Sequence, residues 1–145
     1  MEAQVKAWTD ILTNTLQPKL QALEAERDAH VAAAGEYADL AILIGALRAR
    51  RDAGGGLLEA RCEVMPGSGQ YEAVEVPDAT RIHVDVGKGK FQEFPLDEAL
   101  VQAEKRQRHF EHAAVGCREQ VGKLQKDIWK GMSVVEQLQN IGSVV

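Results

Sequence analysis

Apolar residues recur at seven-residue spacing towards the end of the chain, from Leu96 to Leu138. The d positions of this heptad repeat are Leu96, Ala103, Phe110, Cys117, Leu124, Gly131 and Leu138. The a positions are Leu100, Gln107, Ala114, Val121, Ile128 and Val135, so only Gln107 and Gly131 interrupt the apolar seam. A heptad repeat of this length predicts a coiled-coil helix, and a second helix is needed to cover its seam.

Residues 4–52 predict a first long helix with a weaker seam, whose apolar stripe shifts by one position at Leu20. Pro18 lies inside this segment, and proline costs about 3 kcal/mol in a helix interior. We therefore expect a kink near residues 15–18, or a helix that begins there. The helix is apolar almost all round from Leu40 to Leu47, which predicts a segment that is covered on more than one side.

The period of the pattern changes from about 3.5 to 2 between the two helices. Gly54-Gly55-Gly56 predicts the end of the first helix, because glycine adopts the left-handed conformation without strain. Alternating apolar and polar residues then predict short strands at 58–64, 71–76, 81–86 and 91–94, paired as two β-hairpins within residues 57–94. Strands this short do not form a stable domain alone, so the helices or another chain must cover them.

Pro95 is expected to open the second helix, which runs over residues 95–140. Two long helices joined by a compact β insert pair antiparallel, and this pairing places His30 opposite Ala114 and Cys117. The pattern therefore predicts one α+β domain over residues 1–145, an antiparallel two-helix coiled coil with two β-hairpins inserted between the helices.

Large apolar residues are concentrated near both chain termini, and several of them fall off the heptad seam. Those expected to contact another protein are Trp8, Ile11, Leu12, Trp129, Met132, Val134, Val135, Leu138 and Ile141. Two paired helices cannot bury all of these side chains, and an exposed apolar patch is usually a contact site. The alternative is that the two tryptophans cap the helix pair and bury the excess.

Composition narrows the class of protein. Aromatic residues make up 5% of the chain and charged residues 27%, which suits long solvated helices. The net charge of −5 argues against nucleic acid as a partner. No signal peptide is apparent, the apolar run from Leu40 to Leu47 is too short to span a membrane, and the two cysteines do not form a disulfide framework. We expect a soluble intracellular protein without a membrane partner.

The sequence contains few residues that could bind a metal or carry out catalysis. His109 and His112 are too few for a zinc site and lie off the seam, while His30 is expected to be a packed histidine. Gly87-Lys88-Gly89-Lys90 lacks the spacing of a phosphate loop and predicts a hairpin turn. We find no combination of nucleophile, base and orienting group, so we expect no enzyme activity, no metal and no cofactor.

Two basic clusters lie at residues 48–51 and 105–108. We interpret them as salt-bridged helix surface, and the alternative is a docking site for an acidic partner.

The block from Val76 to Phe91, with its Val-Pro-Asp link and its strand that ends in Val-Gly-Lys-Gly, resembles the α-type subunits of the prefoldin family. The helix start Pro95-Leu96-Asp97-Glu98-Ala99-Leu100 is also similar to that family. The resemblance implies a heterohexamer in which two α-type and four β-type subunits share a β-barrel body, and in which the helical arms contact client proteins without ATP. Lys88, Lys90 and Pro18 depart from the family pattern.

The resemblance and the open strand edges both predict that the hairpins carry the subunit interface. The interface residues expected are Val64, Tyr71, Val74, Val76, Ile82, Val84, Val86, Phe91 and Phe94. The implied partners are other prefoldin or prefoldin-like subunits and client proteins, in the cytoplasm with the nucleus as a second compartment. The alternative function is a static coiled-coil scaffold that is fixed within a large assembly.

Overall fold

The computed structural model describes residues 2–55, 58–63, 65, 67–76 and 78–144 of the chain. The elements are α1 (Glu2–Ile11), a π-helical turn (Leu12–Leu16), α2 (Gln17–Asp52), β1 (Leu58–Glu63), β2 (Tyr71–Val76), β3 (Arg81–Gly87), β4 (Lys90–Pro95) and α3 (Leu96–Val144). The predicted α+β fold is confirmed, with long helices before and after two β-hairpins. The last helix begins one residue later than predicted and continues to Val144.

Pro18 neither starts nor ends the first helix, which runs from Glu2 to Asp52. The chain instead widens into the π-helical turn directly before the proline, and the backbone N–H of Gln17 donates to the carbonyl oxygen of Leu12. In regular α-helix geometry the proline ring would clash with the carbonyl of Asn14, four residues earlier. A wider turn relieves this clash without breaking the helix, as π-helical turns commonly do within longer helices.

The first helix ends at its glycines, as predicted. Gly54 adopts a positive φ of 72°. Its N–H donates to the carbonyl of Arg51, and the N–H of Gly55 donates to the carbonyl of Arg50. This pair of hydrogen bonds is the Schellman pattern, which satisfies carbonyls that the last helical turn leaves open.

The four strands form two separate two-stranded antiparallel sheets. β1 pairs with β2 from Leu58 opposite Val76 to Glu63 opposite Tyr71. β3 pairs with β4 from Arg81 opposite Pro95 onwards, and the register shifts at a bulge between Asp85 and Gly87. The N–H of Leu96 donates to the carbonyl of Thr80, which ties the start of α3 to the segment before β3.

The chain divides into two compact units. The first contains Met1–Ala33 and His109–Val145, and the second contains Ala34–Arg108. In the first unit the helices pack along the predicted seam, and the buried residues of α3 include Ala114, Cys117, Val121, Leu124 and Ile128. Leu12 joins Leu124 and Ile128 in one apolar cluster, against which Leu20 and Leu23 pack. The heptad prediction for this part of α3 is therefore confirmed.

The second unit has its own core, in which a hairpin packs on helix residues. The core cluster contains Ile44, Leu47, Val84, Phe94, Leu96, Ala99 and Ala103. The hydroxyl of Tyr37 donates a hydrogen bond of 2.8 Å to the carbonyl of Asp85, which fixes β3 to α2. Burial of apolar side chains supplies about 25 cal/mol per Å², so this cluster is the main source of stability for the unit.

The expectation that residues 40–47 are covered on more than one side is wrong for the isolated chain. Ile44 is fully buried, but Ile42 and Leu43 are 72% and 52% exposed. The described residues of this chain cover one side of this helix segment. An apolar helix face without cover is a place where a partner can bind.

The first helix also contains an apolar stretch of 18 residues, and 11% of this stretch is buried. By length and composition alone, this helix could cross a membrane. One such helix is weak evidence, because core helices of soluble proteins have the same length and hydropathy. That the protein has no membrane partner stays a prediction.

Candidate protein-interaction surfaces

A groove of about 440 Å³ lies between the first helix and α3 in the first compact unit, and we call it the tip groove. The first helix contributes Thr9, Leu12, Thr13 and Gln17 to its lining, and α3 contributes Trp129, Met132, Ser133, Val135, Glu136 and Gln139. Leu12 and Thr13 belong to the π-helical turn, so the distortion before Pro18 forms part of the groove wall.

The apolar lining of the tip groove is open to solvent. Trp129 is 71% exposed and Met132 is 55% exposed, while Leu12 is buried and Val135 is half-buried. These four of the predicted contact residues meet in the groove. The other five lie outside its lining: Trp8, Ile11 and Ile141 are exposed, and Val134 and Leu138 are half-buried. Because both tryptophans are exposed, they do not cap the helix pair and bury the excess in this chain.

Gly131 allows the two helices to approach closely at this groove. A Cβ atom added at Gly131 would lie 2.8 Å from the Cδ2 atom of Leu12, well inside van der Waals contact. The residue that interrupts the heptad seam in the sequence is therefore the position that receives the Leu12 side chain. The missing side chain leaves room for Leu12 to be buried against α3.

Sequence reasoning missed the polar side of the groove. Thr9, Thr13 and Gln17 follow one another at four-residue spacing on the first helix, which places them on one face. This spacing was visible in the sequence, but polar residues on a helix face are usually only solvated. Next to Trp129 and Met132 they give the groove a polar side, on which the hydroxyl of Thr9 donates to the carbonyl of Val5 at 2.8 Å.

The hairpins of the second unit also expose apolar residues. Phe91 is 66% exposed, Tyr71 56% and Val74 42%. Phe91 and Phe94 are three residues apart in β4, so they point to opposite faces of the strand. Phe94 is buried in the core of its own chain, whereas Phe91 faces outwards.

The nine predicted interface residues therefore fall into different environments. Val84 and Phe94 are buried in the core cluster, and Ile82 and Val86 are half-buried against it. Val64 and the side chain of Val76 lie outside the described residues. Among the predicted interface residues whose side chains are described, Tyr71, Val74 and Phe91 are the exposed ones.

The basic cluster near the end of α2 is engaged in ion pairs. Nε of Arg48 lies 2.9 Å from Oδ1 of Asp97, and one terminal nitrogen of Arg51 lies 3.5 Å from the same oxygen. Hydrogen bonds to Asp52 and Asp97 raise the pKa of Arg51 above its already high value. From the second cluster, the guanidinium of Arg106 lies over the ring of Tyr37, 5.6 Å from its centroid. The ion pairs favour the salt-bridged reading of the cluster at residues 48–51, whereas the contact of Arg106 in the second cluster is a cation–π contact.

No protein-family model matches the sequence. The protein UXT homolog of Nematostella vectensis is 26% identical to the chain over 144 residues, which cover 99% of this chain and 89% of that protein. The chain is therefore similar to this UXT homolog over nearly its whole length, and its fold is prefoldin-like.

The extent of this similarity is informative, because coiled-coil helices of unrelated proteins share composition. A match limited to one helix would carry little weight. Here the similarity to the UXT homolog includes both helices and both hairpins, since it covers 99% of the chain. The similarity therefore extends over the whole observed order of helix, hairpins and helix.

Proposed function

We propose that the chain is a non-catalytic, prefoldin-like α subunit, which assembles with other prefoldin-like subunits through its hairpins and contacts client proteins at the tip groove. The observation that carries this proposal is the pair of exposed side chains, Trp129 and Met132, in a groove between two helices. A helix pair that served only as a spacer would have no use for them.

Assembly is supported by the apolar surface of the second unit. An isolated two-stranded hairpin is at best marginally stable in water, and its edges can pair with further strands. Tyr71, Val74 and Phe91 are exposed on these hairpins, and Ile42 and Leu43 are exposed on the helix of the same unit. Strands and helices of partner subunits would cover both kinds of surface.

Client contact is supported by the side chains of the groove. Methionine is flexible and fits irregular apolar partners, and tryptophan offers a large apolar area with one hydrogen-bond donor. Such a lining suits weak binding of many unfolded segments better than one specific ligand. We further propose that this occurs in the cytoplasm, and also in the nucleus, which imaging of the tagged protein would test.

The test is to change Trp129 and Met132 together to serine in the chain co-expressed with β-type prefoldin subunits. We expect the complex to keep its mass but to lose most of its ability to prevent aggregation of a chemically denatured protein after dilution. Light scattering of the diluted protein measures this loss.

Val115→Ser is the matched control, because Val115 is a 45% exposed apolar residue of the same helix outside the groove. This variant should suppress aggregation as well as the unchanged protein. Loss of the complex together with loss of activity in the double variant would show that the groove is structural. Full activity of the double variant would exclude client binding there.

A further inference from the structure

Three side chains with different donor atoms meet in the first compact unit. A carboxylate oxygen of Glu26, a ring nitrogen of His30 and Sγ of Cys117 all lie within 4.8 Å of one another. Oε1 of Glu26 is 3.6 Å from Nε2 of His30. This cluster lies apart from the tip groove and takes no part in the proposed contact with clients.

The helices place these residues together for simple geometric reasons. Glu26 and His30 are four residues apart on the first helix, so their side chains lie on the same face. Cys117 occupies a d position of α3, and it is buried with 6% exposure. The ring of Phe110, one heptad before Cys117, lies 5.9 Å from the ring of His30 and limits the space in which the imidazole can move.

We propose that Glu26, His30 and Cys117 form a zinc-binding site. Thiolate, imidazole and carboxylate are the three protein ligands that Zn²⁺ takes, and a thiolate disfavours Ca²⁺ and Mg²⁺. In a tetrahedral site with bonds of about 2.0–2.3 Å, neighbouring ligand atoms are about 3.3–3.8 Å apart. The three donors already lie within 4.8 Å of one another, and the 3.6 Å between Glu26 and His30 falls inside the tetrahedral range.

The three ligands leave a fourth position of the tetrahedron for water or for a donor from another molecule. The side chain of Glu26 is 59% exposed, so this position is open to solvent, while Cys117 anchors the ion at the buried seam. The ion would then link the first helix to α3 directly. Because it binds the folded helix pair and not the separated helices, it would also stabilise their pairing.

The experiment uses the full chain after chelator treatment and dialysis, titrated with Zn²⁺ in a calorimeter and with Co²⁺ in a spectrophotometer. We expect one site per chain and a near-ultraviolet charge-transfer band that reports a thiolate bound to Co²⁺. Cys117→Ser should abolish the band, and both Cys117→Ser and His30→Gln should weaken zinc binding at least about tenfold, since even outer partners of metal ligands have effects of this size.

Two control variants keep the test specific. Cys62→Ser removes the other cysteine, in the second compact unit, and His112→Gln removes an exposed histidine outside the cluster. Both should bind zinc like the unchanged chain. Glu26→Gln, at an exposed position, provides a ligand variant that keeps the seam intact if Cys117→Ser loses helix content in circular dichroism.

The proposal is overturned if the chain shows no saturable zinc binding. It is equally overturned if His30→Gln and Glu26→Gln both bind like the unchanged chain, or if Cys62→Ser and His112→Gln lose affinity as much as the ligand variants do. The last result would show scattered surface binding rather than one site.

Discussion

Gly131 and Leu12 show how one residue without a side chain determines the local packing of the two helices. Glycine in a helix interior normally costs about 0.5–1 kcal/mol relative to alanine, so a glycine that persists there needs a reason. The 2.8 Å approach of Leu12 to the position of an added Cβ is that reason. Burial of Leu12 repays the helix penalty at this position.

We predict that Gly131→Ala destabilises the chain, because the added methyl group displaces the buried Leu12 side chain. Overpacking costs about 1–3 kcal/mol, and the better helix propensity of alanine offsets about 1 kcal/mol of it, so we expect a net loss of up to about 2 kcal/mol. Thermal or urea unfolding, followed by circular dichroism, measures the change.

Gly116 and Gly122 of the same helix are the controls, since an added Cβ at either position meets nothing within 4 Å. Alanine at these positions should stabilise the chain by up to about 1 kcal/mol. If Gly131→Ala were as stabilising as the two controls, the close approach of Leu12 would be of no energetic importance.

Asp78 organises the turn between the two hairpins. Its Oδ1 accepts hydrogen bonds from the backbone N–H and the hydroxyl of Thr80. The pKa of this carboxyl lies below its ordinary value of 3.8. The largest cause is the hydrogen bond from the Thr80 hydroxyl, followed by the bond from the Thr80 N–H and by the positive charge of Arg81. Because the pKa of Asp78 is lower in the folded state, the ionised carboxylate stabilises the fold when the pH is above the ordinary pKa. This contribution is lost as the pH falls through the pKa of the folded state.

We therefore predict that the carboxyl resonance of Asp78 titrates below pH 3.8 in an NMR titration of the folded chain. In Thr80→Ala, which removes the hydroxyl donor, the pKa should move back towards the ordinary value. Titration of Asp78 at or above 3.8 in the unchanged chain would contradict the hydrogen-bonded turn.

At the scale of the element, the hairpin of β3 and β4 has one face for its own chain and one face for a partner. Val84 is fully buried in the core, whereas Phe91 is 66% exposed on the other face. Both are apolar residues of one small sheet, and both were predicted to carry the subunit interface. Only Phe91 has the surface to do so in the folded chain.

This difference predicts opposite effects for two substitutions. Val84→Ala should reduce the free energy of unfolding by about 2 kcal/mol, because it removes two buried methyl groups and leaves a cavity. Phe91→Thr, which keeps a residue suited to strands, should change stability by less than about 0.5 kcal/mol but weaken assembly about tenfold. Unfolding curves and titration with partner subunits measure the two effects, and unchanged assembly in Phe91→Thr would exclude this face as the interface.

The sequence predicted elements well because helix and strand geometry repeats along the chain. The heptad spacing located the buried residues of α3 from Ala114 to Ile128, and the pairing of His30 with Cys117 followed from the antiparallel connection. The change to alternating apolar and polar residues located each strand to within one residue of its observed ends. These features depend on local periodicity, which a sequence displays directly.

The remaining features depend on contacts between distant residues. Pro18 is compatible with a kink, a helix start or a π-helical turn, and the packing of Leu12 against Gly131 accompanies the last of these. Likewise, an apolar segment such as residues 40–47 predicts burial, but the sequence does not show whether this chain or a partner packs on it. The polar lining of the tip groove was missed for the same reason, since Thr9, Thr13 and Gln17 matter only beside Trp129.

At the scale of the whole molecule, the chain exposes apolar residues in both of its compact units. Phe91 and Ile42 in the second unit and Trp129 in the first are each more than half exposed. Single apolar residues are common on protein surfaces. Exposed large apolar side chains on a hairpin, a helix and a groove together are unusual for a protein that functions as a monomer. The account therefore depends on assembly with other subunits.

The measurement that tests this most directly is the mass of the complex formed on co-expression with β-type prefoldin subunits, determined by size-exclusion chromatography with light scattering. We predict a mixed hexamer that contains two copies of this chain and four β-type subunits. A stable monomer of this chain that elutes apart from every β-type partner would contradict the account.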